Sequence, residues 1–150
     1  MYSFILGLHN ILRWVVVVIA IFTLSRMYFG LIRKREWSDM DRKAGVFFTA
    51  ALDTQLLVGI LLYVFFSPLV KVTFNDFGAA MSNPGLRFFS IEHVFYMVLS
   101  VVFAHIGSVR TKKVPDSIVK HRQAVLWFSL AFLILMVGIP WSSRPLLPSF

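Results

Sequence analysis

The chain has 150 residues and no cysteine, which excludes disulfides, thiolate metal sites, iron–sulfur ligation and covalent c-type haem attachment. Its hydrophobic fraction is 58% and its charged fraction 15%, against about 45–50% and about 25% in soluble domains. The net charge of +8 does not point to nucleic acid, because the basic residues fall in short stretches between long apolar runs, as in loops kept in the cytoplasm.

The length fits one domain, and residues 1–150 read as a single integral membrane domain. Taken in chain order, the apolar runs predict spans over about 6–30, 44–66, 88–109 and 124–140, each near the roughly 20 residues a helix needs to cross the hydrocarbon core. Pro68, Pro84 and Pro115 fall between spans and Pro140 closes the last, where proline stops a helix without breaking its interior. The loop after span one carries Arg33, Lys34, Arg35, Arg42 and Lys43, and that after span three carries Arg110, Lys112, Lys113, Lys120 and Arg122. The middle loop, about 67–87, has only Lys71 and Arg87, and the C-terminal tail only Arg144. The positive-inside rule then places both termini outside. Short basic loops make spans one and two neighbours, and likewise three and four. The expected fold is therefore all-α, an up-down-up-down bundle of four transmembrane helices in the inner membrane of a bacterium. No basic segment precedes the first apolar run, so span one is expected to be retained rather than cleaved as a signal peptide.

In the middle loop, Val70–Phe74 is expected to form a short strand or lie at the interface. Asn75-Asp76-Phe77-Gly78 and Asn83-Pro84-Gly85 read as turns. Trp14, Trp37, Trp127 and Trp141 fall near predicted span ends, as in an aromatic belt. Gly45, Gly59, Gly107 and Gly138 permit close helix approach.

Ionisable side chains at membrane depth cost about 2.5–3.5 kcal/mol each on insertion scales, so they face a bundle interior, pair, or serve a cofactor or proton path. His9 and Arg13 are four residues apart and share a helix face. His93 follows Glu92 about five residues inside span three. Spans one and three run in the same direction, so at matched depth both imidazoles reach one central axis. The candidate metal ligands are His9 and His93, holding an iron porphyrin between two axial imidazoles, an electron-transfer arrangement. Arg13 is a candidate contact for a haem propionate, and Glu92 either serves the site or forms an ion pair with Arg13. Asp53 in span two either orients an imidazole, as outer carboxylates of metal sites do, or hydrogen-bonds another helix. Gln55 is helix–helix glue or a contact to cofactor or quinone. His105 lies twelve residues after His93, about 120° around the helix, so a second haem on the same face is not supported. His121 reads as a solvated residue of the second basic loop.

Leu8-His9 with Arg13-Trp14, Gln55-Leu56-Leu57 with Gly59 and Tyr63, Arg87-Phe88 with Glu92-His93, and Gly138-Ile139-Pro140-Trp141 together resemble the small bacterial four-helix membrane proteins labelled cytochrome b-like. That resemblance implies a b-type haem. It also implies a histidine just before the glutamine of span two, where this chain has Asp53-Thr54-Gln55; His9 and His93 carry over and that position does not.

Two functions compete. One is a membrane electron-transfer subunit with one b-type haem near the outer face, working between a quinol pool and an outer acceptor within a larger complex; a bacteriochlorophyll on one histidine is a variant. The other is a cofactor-free accessory subunit of a respiratory, photosynthetic or transport assembly. Both have the lipid bilayer and other membrane subunits as partners. A third, a proton or small-solute carrier using Asp53 and His105, is disfavoured by four unbroken spans, which give little for alternating access.

Overall fold

Four helices are long and apolar enough to cross a membrane: Tyr2–Ile32, Asp39–Phe66, Pro84–Lys113 and Ser117–Gly138. They are drawn from a computed structural model that describes residues 1–141; the tail beyond, with Arg144, lies outside the described residues. The described chain is helical throughout, with no strand among the described residues.

Helix α1 (Tyr2–Ile32) has 31 residues, about 46 Å at 1.5 Å per residue. It ends where Lys34 takes a left-handed conformation at φ 50°. The amide of Arg35 donates to the Gly30 carbonyl at 2.9 Å and that of Lys34 to Leu31 at 3.3 Å, a Schellman closure with lysine in the seat that glycine usually holds. Helix α2 (Asp39–Leu61) opens on a reciprocal capping box between Ser38 and Asp41. It continues through a π-helical turn, Leu62–Phe66, and stops at Ser67, extended because Pro68 follows.

The middle loop is helical rather than a strand with turns. Ser67 caps α3 (Pro68–Asn75), Asp76 caps α4 (Phe77–Ser82) and Asn83 caps α5 (Pro84–Arg87). The residues expected to turn the chain do so by accepting the first amides of each new helix, and Pro68 and Pro84 sit where a missing N–H costs nothing. Val70–Phe74 thus lies inside α3. A second π-helical turn, Phe88–Glu92, leads from α5 into α6 (His93–Lys113). Val114 is extended before Pro115, Asp116 caps α7 (Ser117–Gly138), and Ile139 is extended before Pro140.

The long helices close a ring. α1 packs on α2 and α7, and α6 on α7 and α2, so α1 and α6 face each other diagonally. Their buried residues recur in alternating steps of three and four. In α7 the stripe is His121, Ala124, Phe128, Ala131, Leu135 and Gly138; in α6 it is Met97, Ser100, Ala104, Gly107 and Thr111. α1 buries Arg13, Val16, Ala20, Thr23, Met27 and Gly30, and α2 buries Asp41, Gly45, Phe48, Leu52 and Gln55. This seven-residue period is that of left-handed bundle packing. Small residues dominate the seams, and large ones such as Phe22, Phe47, Leu57, Phe65, Phe95 and Leu133 point outward, as lipid-facing helices require. Phe128 fills the space that Gly45 and Gly107 leave, edge-on to Phe48 at 5.7 Å between ring centres. Thr23 donates to the Ala44 carbonyl at 3.1 Å and Ser100 to the Ala131 carbonyl at 2.8 Å, tying α1 to α2 and α6 to α7.

His121 is not solvated. It is fully buried, with its ring 4.9 Å from that of Trp37. The basic neighbours Lys120 and Arg122 mark a loop by composition, but position 121 lies on the buried stripe of α7. Gly30 makes the room: a Cβ there would overlap the imidazole. Beside it, fully buried Asp41 accepts from Arg35 at 2.7 Å and 2.8 Å and from Arg26 at 3.0 Å. This polar knot closes the basic end of the bundle.

Candidate functional site

At the end of the bundle where α1 begins and α2 finishes, the interior is hollow. A cavity of about 160 Å³ is lined by side chains of α1, α2, α6 and α7, with His9, Gln55, His93 and Arg13 among otherwise apolar walls such as Val16, Leu52, Met97 and Leu135. His9 lies four residues before Arg13 on the buried stripe of α1, and His93 lies four before Met97 on that of α6. The diagonal pairing of α1 and α6 therefore aims both imidazoles at the bundle axis. Their ring centres are 6.3 Å apart and their planes are inclined by 72°. The two histidines thus lie at the same depth.

His93 Nδ1 donates to the carbonyl oxygen of Gly138 at 2.7 Å. That carbonyl belongs to the last residue of α7 and has no partner inside its own helix. The bond fixes the tautomer, leaving Nε2 as the lone-pair nitrogen, as in histidines oriented for a metal. On the opposite wall the Gln55 amide donates to the His9 carbonyl at 3.0 Å and reaches His9 Nε2 at 3.2 Å. His9 Nδ1 and Gln55 Oε1 are buried with no hydrogen-bond partner among the described residues, and an unmade buried bond costs about 1–3 kcal/mol. Gly59 lets α2 close on His9: a Cβ there would sit 3.2 Å from the ring. Arg13 is 6% exposed, and its guanidinium lies 5.7 Å from the Trp14 ring centre.

Both π-helical turns border this hollow, through Leu62 and Tyr63 on one side and Phe89 on the other. Such turns cluster at functional sites because one extra residue in a turn re-aims the side chains that follow. The Tyr63 hydroxyl donates to the Ser90 carbonyl at 2.9 Å, and Ser90 and Thr73 share a 2.8 Å bond, so the two turns and α3 brace one another.

The structure brings together four of the six residues singled out in the sequence: His9, Arg13, Gln55 and His93. Glu92 is elsewhere. Its carboxylate accepts from Arg87 Nε at 2.7 Å on the rim, rather than from Arg13. Asp53 is also outside the cavity, paired with His105 at 2.9 Å on the outward surface of α2 and α6, both partly exposed. An imidazole does meet Asp53, but it is His105. Gly59 appeared in the sequence as a glycine for close helix approach and in the family resemblance, Tyr63 only in the resemblance, and Asn10, which also lines the cavity, carried no signal there. The seven-residue stripe separates the two groups: His9, Gln55 and His93 are in phase with the buried positions of their helices, whereas Glu92, Asp53 and His105 are out of phase.

The fold and site define a helical protein with four candidate membrane spans and a histidine-lined cavity at one end. Among family models, curated proteins and solved structures, no match to the chain was found.

Proposed function

We propose that the protein is a membrane electron-transfer subunit whose cavity holds one b-type haem between His9 and His93. The supporting observation is the 6.3 Å between the imidazole centres. Two imidazoles sharing one metal, with bonds of about 2 Å and about 1 Å from each nitrogen to its ring centre, would have ring centres about 6 Å apart. The Gly138 carbonyl presents His93 as a ligand, and Arg13 supplies a cation for a propionate. When bound, a haem supplies one-electron chemistry. The chain's own part is to orient the imidazoles, keep the walls apolar and exclude water. Loading requires Gln55 to release His9 Nε2 and the walls to move outward, because the hollow is the size that takes a single six-membered ring, about 150 Å³. In this reading the chain is an up-down-up-down bundle of a bacterial inner membrane, with the basic loops in the cytoplasm, both termini outside and other membrane subunits as its electron partners.

That same volume favours a second reading, a quinone head group seated beside Gln55 and the two histidines. The test is a dithionite-reduced minus oxidised absorption spectrum of the purified protein, repeated on His93→Ala. A b-type band that vanishes in the variant supports the haem. A flat spectrum with extractable quinone that Gln55→Ala loses supports the second reading. Neither signal leaves a cofactor-free accessory subunit.

A further inference from the structure

A second concavity lies on the outside of the bundle, at the opposite end. It is a groove of about 760 Å³ bordered by Val102, Ile106, Val109, Arg110 and Lys113 of α6 and by Trp127 of α7. The α6 residues recur every three or four positions, so they form one strip along the helix. From Val102 to Lys113 the strip rises about 16 Å, half the roughly 30 Å hydrocarbon core of a bilayer. Apart from His105, which also lines it, the groove is apolar along its depth, with Arg110 and Lys113 at its mouth.

Arg26, Arg35, Arg42, Lys43 and Arg87 each have a carboxylate within 4 Å; among the described residues Arg110 and Lys113, like Arg33, Lys34, Lys71, Lys112, Lys120 and Arg122, have none and are open to an outside anion. The wall opposite them is rigid. Trp127 stacks on Phe103 at 5.8 Å and donates from its indole nitrogen to Gln123 at 3.0 Å. Partway along the strip, about 7.5 Å below Arg110, His105 is held by Asp53 at 2.9 Å.

We propose that this groove is a binding site for an anionic phospholipid of the leaflet on the basic side, its head group at Arg110 and Lys113 and one acyl chain along Val109, Ile106 and Val102. The charge and the depth together select this occupant. A zwitterionic lipid leaves the two cations uncompensated, a free phosphate leaves the apolar strip bare, and a packed helix must bring its own acids to the mouth.

The test is native mass spectrometry of the detergent-purified full chain titrated with phosphatidylglycerol, phosphatidylcholine or inorganic phosphate. A cation in direct contact with the head group is expected to contribute about fivefold to binding, from about 1 kcal/mol per Lys or Arg. The Arg110→Gln/Lys113→Gln variant is therefore expected to hold phosphatidylglycerol about 25-fold less well than wild type. The Lys112→Gln/Lys120→Gln variant, which loses the same charge outside the groove, keeps wild-type binding. Arg110, Lys112 and Lys113 are exposed and Lys120 is half-buried, and a thermal melt matching wild type checks that each variant is folded. Equal retention of phosphatidylcholine, equal loss in both variants, saturation by inorganic phosphate alone, or dimers that displace the lipid adducts each overturn the proposal.

Discussion

At the basic end, His121 is fully buried against Trp37 and Gly30, beside an Asp41 carboxylate that two arginines share. At the other end, His9 and His93 face each other across a hollow, with Arg13 one turn along. Both ends place an imidazole on a buried stripe beside guanidinium groups, Arg13 buried at the hollow end and Arg26 and Arg35 half-buried at the basic end. Both also leave ring nitrogens without a hydrogen bond among the described residues, His9 Nδ1 at one and the two nitrogens of His121 at the other. An unpaired buried imidazole is therefore not what marks a site in this molecule. Space is the difference. The basic end is filled to contact, with Gly30 leaving the room that the His121 ring occupies. The other end keeps an open volume whose lining includes two imidazoles with ring centres 6.3 Å apart.

This contrast sets the size of mutational effects. Asp41→Ala should be the most damaging change, because it strips a shared carboxylate from Arg26 and Arg35 and removes half of the α2 capping box; the expected cost is about 3 kcal/mol. Denaturant titration in detergent micelles reads this directly, and an unchanged midpoint would mean that the basic end is not the structural clamp described. The two glycines give a matched pair. Gly30→Ala forces the His121 ring out of a filled site, an overpacking cost of about 1–3 kcal/mol. Gly59→Ala presses on His9 at 3.2 Å, and that ring has a cavity to move into, so its cost is expected to be under about 1 kcal/mol. Equal losses in thermal melts of the two variants would erase the distinction between a filled and a hollow end. The smallest effect has the opposite sign: Lys34→Gly relieves a left-handed lysine, partly offset by the entropy of glycine, and should raise stability by about 0.3 kcal/mol, seen as a small upward shift of the same melt.

Much of this was legible in the chain. Apolar runs and the flanking prolines locate the four long helices, because the membrane imposes length and apolarity together, but each helix begins four to seven residues before the expected span, where polar and interfacial residues extend it. His9, Gln55 and His93 were legible as polar groups at membrane depth, and each lies on the buried phase of its helix. The same phase count would have placed His121 inside, three residues before Ala124 and seven before Phe128, and Asp53 and His105 outside. Local charge outweighed periodicity in the reading of His121. The short helices between α2 and α6 were not legible as such, since the β-branched residues of Val70–Phe74 favour a strand while the decisive signals are single caps at Ser67, Asp76 and Asn83. The π-helical turns have no sequence signature, yet they border the cavity on two sides.

The most direct test of the central claim sets the two ends against each other: titrate the purified protein with haemin and follow the absorption spectrum in wild type, His93→Ala, His9→Ala and His121→Ala. The account predicts one haem per wild-type chain with a bis-imidazole spectrum, lost in both His93→Ala and His9→Ala, and retained by folded His121→Ala despite its lower stability. Undiminished binding in His93→Ala, or no binding by folded wild type, would contradict it.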